Sequence, residues 1–127
     1  MMTRSISLLC LAIVATACTD DVPHLPPQNW KNITITVETR PPVLAKGMNE
    51  FLIITSDDQR RPVHDLIVTL QIRGHEKRHQ AIQDGHVGAY RRAVPVQDPA
   101  NDVLIVKLQR GEESGLLEFP LGEQTAP

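Results

Sequence analysis

Aromatic side chains are scarce in this chain, with one Trp, one Tyr and two Phe among 127 residues. Trp30, Tyr90, Phe51 and Phe119 do not supply a stacking platform for sugars or bases, and any core must be built from Leu, Ile and Val. Cysteine is as rare. Cys10 and Cys18 both fall within the first 18 residues, so the remainder can hold no internal disulfide and must be stabilised by packing. Long hydrophobic runs are missing too: the longest, Ile6 to Val14, has nine residues, against about 20 for a membrane-spanning helix. Neither sign of charge dominates, with 13 Lys plus Arg against 15 Asp plus Glu and a net charge of -2. The chain has no basic stripe of the kind that marks nucleic-acid binding, and Arg60-Arg61 and Arg91-Arg92 read as solvated turn and strand-face residues. Gly-x-Ser-x-Gly, His-Glu-x-x-His and a phosphate-binding loop are all absent. No catalytic residue is assigned, no small-molecule substrate is identified, and a non-enzymatic protein is expected.

What is present begins with an address. Met1 to Arg4 form a short positive region, Ile6 to Val14 an apolar one, and Ala15-Thr16-Ala17-Cys18 a small-residue site, which together have the layout of a secretory signal. The ending in Cys18 resembles the lipobox of bacterial lipoproteins, with Ala15 where Leu is commoner. The resemblance implies cleavage before Cys18 and its modification with a diacylglyceryl and usually an N-acyl chain, enough lipid for stable anchoring. The alternative is ordinary cleavage after Ala17, which leaves Cys18 as a free thiol in an oxidising compartment, a chemical liability. By the same resemblance Thr19 does not retain the protein at the inner membrane. The periplasmic face of the outer membrane is then expected, and the inner membrane stays open because Asp20 and Asp21 follow. Removing Arg4 with the leader leaves 12 Lys plus Arg against 15 Asp plus Glu, a net charge of -3.

Thr19 to Lys31 is polar, carries three prolines and shows no periodicity, so it reads as an extended tether. At ~3.3 Å per residue it reaches roughly 40 Å at most. The organisation expected is a leader at 1–17, a lipidated Cys18 with its tether at 18–31, and one domain at 32–127. From Ile33 onward alternation of apolar and polar residues replaces any helical period. Strands are predicted at Ile33 to Val37, Phe51 to Thr55, Leu66 to Ile72, near His79 to Ile82, Tyr90 to Val96, Val103 to Arg110 and Leu116 to Leu121. Phe51 to Thr55 is apolar on both faces, as in the middle of a sheet. About seven short strands separated by turn residues predict an all-β, immunoglobulin-like antiparallel sandwich. Gly88-Ala89-Tyr90 after Asp84-Gly85 is similar to a tyrosine corner, which gives Gly88 and Tyr90 structural roles.

Gln59-Arg60-Arg61-Pro62-Val63, Leu66 to Ile72, Gly88-Ala89-Tyr90 and Val103 to Leu108 follow one another in an order that resembles the YtkA-like and FixH-like family of bacterial periplasmic domains, over about 75 residues from Lys46-Gly47 to Leu121. Two departures stand out. His75 to His79 replaces the methionine-rich segment of some relatives, and Val103 or Leu104 stands where Trp is frequent. The first weakens any copper role carried over from the resemblance.

Histidine offers the one candidate metal constellation. His75, Glu76 and His79 could share a Cu or Zn ion, since neutral imidazole suits both. His86 lies seven residues beyond His79, roughly 20 Å away along an extended chain, and is expected at the opposite end of the sandwich near His64. His24 belongs to the tether. The expected function is that of a membrane-tethered binding or scaffolding domain for another envelope protein, acting through sheet edges or loop ends. The alternative is a metal-handling protein that supports copper or respiratory-complex assembly through His75, Glu76 and His79.

Overall fold

A computed structural model describes residues 23–124. Cys10, Cys18 and the leader lie outside the described residues. Among the described residues nine strands make up the fold: β1 (Gln28–Trp30), β2 (Ile33–Arg40), β3 (Gly47–Ser56), β4 (Ile67–Ile72), β5 (His79–Gln80), β6 (Ile82–Asp84), β7 (Ala89–Val96), β8 (Val103–Arg110) and β9 (Glu113–Pro120), with a 3-10 turn at Leu121–Glu123. They form two antiparallel sheets, β1-β2-β3-β7-β6 and β5-β4-β8-β9. The fold is an immunoglobulin-like β-sandwich.

The alternation in the sequence is the alternation of the pleat. Ile33, Ile35 and Val37 of β2 point inward with Phe51 and Ile53 of β3 and with Tyr90, Val94 and Val96 of β7. Val68, Leu70 and Ile72 of β4 meet them from the other sheet, with Leu104, Val106 and Leu108 of β8 and Phe119 of β9. Strand β3 sits in the middle of its sheet, which is why Leu52 is buried on the outer face as well.

Two expectations are corrected. The tether does not run free to Lys31: Leu25 is 1% exposed and belongs to the core, and β1 pairs with β2 from Gln28↔Ile35 to Trp30↔Ile33. The domain therefore begins before residue 32. Prolines 26 and 27 concealed this, but an edge position tolerates them, because an edge residue has no second neighbour awaiting its N–H. The strand expected near His79 to Ile82 is two strands in different sheets. Strand β5 pairs with β4 through Leu70↔His79, and β6 pairs with β7 through Ile82↔Arg91. Ala81, whose N–H still donates to Val68 O at 2.8 Å, is the step between the sheets.

These two features close the open sides of the sandwich. On one side β5 and β6 stitch the sheets together. On the other, β1 leans on β9: Trp30 packs on Gly115, where an added Cβ would lie 2.3 Å from the indole nitrogen. The Gln28 amide donates to the Glu118 carbonyl, and Lys31 pairs with Glu113. The two remaining ends carry the loops. Residues 41–46, 73–78, 97–102 and 121–123 lie at one end, called here the Arg40 end; residues 31–32, 57–66, 85–88 and 111–112 lie at the other, the His64 end.

Candidate functional site

The corner assigned to Gly88 and Tyr90 is built as a structural unit. Tyr90 is 1% exposed. Its hydroxyl donates to Val63 O at 3.0 Å and accepts from Leu66 N at 3.2 Å. The partner segment is thus the crossover 63–66, which carries the chain from one sheet to the other, and not the turn just before the tyrosine. Burial pushes the phenol above its ordinary pKa, so the hydroxyl keeps its proton. Gly88 adopts φ +72°, and a Cβ there would stand 2.5 Å from Thr55 O and 3.1 Å from Pro62. Glycine is required by both the left-handed backbone and the close approach.

The histidines separate as their spacing predicts, in part. His64 and His86 meet at the His64 end with ring centroids 5.5 Å apart and an interplanar angle of 81°. His79 pairs opposite Leu70 and is 7% exposed, whereas His75 is half-buried and Glu76 exposed. Its burial, with Lys77 and Arg92 as further contributors, holds the His79 imidazole below the usual histidine pKa. Among the described residues no group of three or more His, Cys, Asp or Glu side chains stands close enough to hold a metal ion, so His75, Glu76 and His79 are not gathered into the constellation their spacing suggested. The register explains the difference: pairing with β4 turns His79 into the sandwich and away from the 73–78 turn that carries the other two.

Charge at the His64 end is mostly paired internally. Asp57 pairs with Arg61 at 2.9 Å and accepts from the amides of Gln59 and Arg61, and these bonds lower its pKa. Asp65 pairs with Arg110 at 2.8 Å, which lowers the carboxyl pKa and raises that of the guanidinium. The 300 Å³ recess between them is lined by these same groups.

A concavity of about 530 Å³ lies elsewhere, on the outer face of the four-stranded sheet. Its floor is Thr69 and Gln71 of β4 and Ile105 and Lys107 of β8; its walls are Arg78 and the Ser114–Leu116 stretch of β9. Lys107 stands opposite Leu116 in the register. Leu116 is 65% exposed, and Ile67 on the same face is 48% exposed. An outward face of a two-layer sandwich is normally polar, so Ile67, Ile105 and Leu116 stand out there, with Lys107 and Arg78 supplying positive charge. Glu118, the acid on this face of β9, is held by Arg73. A free edge adjoins the patch. Gly111-Glu112 is a two-residue hairpin turn, so Glu113, Gly115, Leu117 and Phe119 bond β8, while Ser114, Leu116 and Glu118 direct their backbone groups outward. The Gln28 amide occupies the Glu118 carbonyl.

This surface is not among those expected from the sequence. One signal was available: Val103-Leu104-Ile105-Val106 is apolar at four successive positions, where a strand with one wet face alternates. Among the described residues, no helix is long and apolar enough to cross a membrane. No protein-family model matches the chain, and no curated protein and no solved structure is found to be similar to it.

Proposed function

We propose that the chain is a membrane-tethered periplasmic lipoprotein whose sandwich binds another envelope protein through the outer face of its four-stranded sheet. The tether part of this reading rests on the leader and the lipobox-like ending at Cys18. The binding part is carried by one observation: the concave outer face combines exposed Leu116 and Ile67 with Ile105, and with the cations Lys107 and Arg78. Such a surface suits a partner segment that is apolar at its centre and acidic at its rim, since apolar contact supplies affinity and opposite charge sets orientation and rate of encounter. The adjoining β9 edge lets the same segment add backbone hydrogen bonds at Ser114 and Leu116.

A photo-reactive residue at Leu116 tests the reading in intact cells. It is expected to form a discrete adduct with one envelope protein, lost when Lys107→Glu reverses the charge beside it. Equal adduct patterns from Leu116 and from Val87, which lies on a different surface, would sink it.

A further inference from the structure

We propose that the Arg40 end of the sandwich faces the lipid bilayer, with Val43 and Met48 at the headgroups; this inference rests on the reading of Cys18 as the lipidated residue. Leu25 is locked in the core and β1 runs antiparallel to β2 from Gln28↔Ile35, so the chain that precedes Gln28 heads toward the Arg40 end. Four residues, Thr19 to Val22, separate Cys18 from Pro23. That stretch of chain spans about 18 Å at most. The ten residues of β3 place the His64 end roughly 30 Å further off. A lipid on Cys18 therefore holds the Arg40 end beside the membrane, and the tether is too short to present the opposite end in its place.

The residues at that end fit an interfacial contact. The connection from Arg40 to Met48 reads Arg-Pro-Pro-Val-Leu-Ala-Lys-Gly-Met. Val43 is 58% exposed and Met48 63%, while Leu44 packs against the core. Arg40 precedes Val43, and Lys46 stands between Val43 and Met48; both cations are exposed. Of the acids at this end, Glu76 and Glu123 are exposed, while Asp98 and Asp102 are engaged in their own turn. Asp102 accepts from the amides of Gln97 and Asp98 at 3.0 Å, and Asp98 accepts from Ala100 and Asn101. Two apolar tips interspersed with two long cations match the depth at which an apolar surface sinks just below headgroups while Arg and Lys stay among the phosphates.

The test uses the full-length protein purified from bacterial membranes and reconstituted into vesicles of phosphatidylethanolamine and phosphatidylglycerol. Intact mass is read first: an unmodified N-terminus overturns both this inference and the lipoprotein reading. With the lipid present, an environment-sensitive fluorophore is attached at Val43→Cys or at Val87→Cys, and quenching by spin-labelled lipid is compared. Quenching at position 43 is expected to exceed that at position 87 by roughly threefold, as for a group among headgroups against one well clear of them. Equal or reversed quenching overturns the orientation and leaves lipidation standing. The unsubstituted protein gives a second readout. Trypsin is expected to cut at Arg60 on vesicles at its rate in detergent, while cutting at Lys46 is slowed on vesicles alone. Unchanged cutting at Lys46 would also overturn the orientation.

Discussion

The hydroxyl of Tyr90 stands between the carbonyl of Val63 and the amide of Leu66, at 3.0 and 3.2 Å, and so fixes the segment that joins the two sheets. Both partners are backbone groups in a buried setting, and the Thr55 hydroxyl also reaches Val63 O at 2.7 Å. Tyr90→Phe keeps the ring and removes the hydroxyl, leaving the Leu66 N–H without its acceptor. A loss of about 1–3 kcal/mol is expected, since an orphaned buried donor costs its desolvation. Urea unfolding measures it, and an unchanged midpoint would remove Tyr90 from the role assigned to it.

Gly88 and Gly85 form a matched pair for a second test. Both have positive φ, +72° and +62°, but a Cβ on Gly88 meets Thr55 O at 2.5 Å whereas one on Gly85 meets nothing within 4 Å. Gly85→Ala is expected to cost about 1 kcal/mol from the left-handed backbone alone. Gly88→Ala should cost on the order of 3 kcal/mol, because backbone strain and collision add. Similar thermal midpoints for the two variants would contradict the close packing at Gly88.

Gly115→Ala probes the closed side of the sandwich. The new methyl would lie 2.3 Å from the Trp30 indole nitrogen, so the ring must swing toward water. Trp30 is the only tryptophan, which makes its emission a direct report. A red shift at full secondary structure is expected, and an unshifted spectrum would show that the ring does not cover β9.

Stability should fall as the solution is acidified below the ordinary histidine range. Burial holds the folded pKa of His79 below the ordinary histidine value of about 6.5, so between the folded pKa and that value the unfolded chain binds more protons. The contribution is therefore complete above pH 6.5 and is lost as pH falls from there through the folded value. His79→Gln is expected to flatten the dependence of the urea midpoint on pH across that window. An equally steep dependence in the variant would assign the effect to other groups.

Titration with Cu(I), Cu(II) and Zn(II) under competing chelator addresses the metal-handling alternative. With His79 turned inward, binding no tighter than roughly micromolar is expected, as for sites lacking an oriented set of ligands. Tight one-to-one binding abolished by His75→Ala with His79→Ala would instead favour metal handling over the interaction proposed above.

Much of the fold could be read from the chain, and particular residues show why. Ile33, Ile35 and Val37, and Val68, Leu70 and Ile72, alternate strictly, and a strict period of two leaves one face for the core. Glycine and tyrosine at 88 and 90 marked the corner, because their chemistry is local. Strand β1 was hidden since its three residues, Gln28 to Trp30, carry no alternation, and Leu25 is anchored only by contacts distant in sequence. The break between His79-Gln80 and Ile82-Asp84 was hidden for the same reason: which sheet a residue joins depends on its partner strand. The candidate surface was the least legible part. Ile105 and Leu116 look like core residues until the register with Lys107 shows that they face outward.

Residues 23–30 have a second effect that reaches beyond the single molecule. Through Gln28 and Trp30 they cover the Glu118 and Gly115 positions of β9 and leave Ser114 and Leu116 free. A chain clipped between Trp30 and Lys31 would keep most of its strands yet lose the Gln28 bond at the Glu118 carbonyl and the Trp30 cover on Gly115, which lengthens the free edge of β9 offered to its own copies. Such a fragment would be lost from solution as sheet-to-sheet aggregates before it unfolded. The stretch before β2 therefore also shortens the edge that β9 can offer to another sheet.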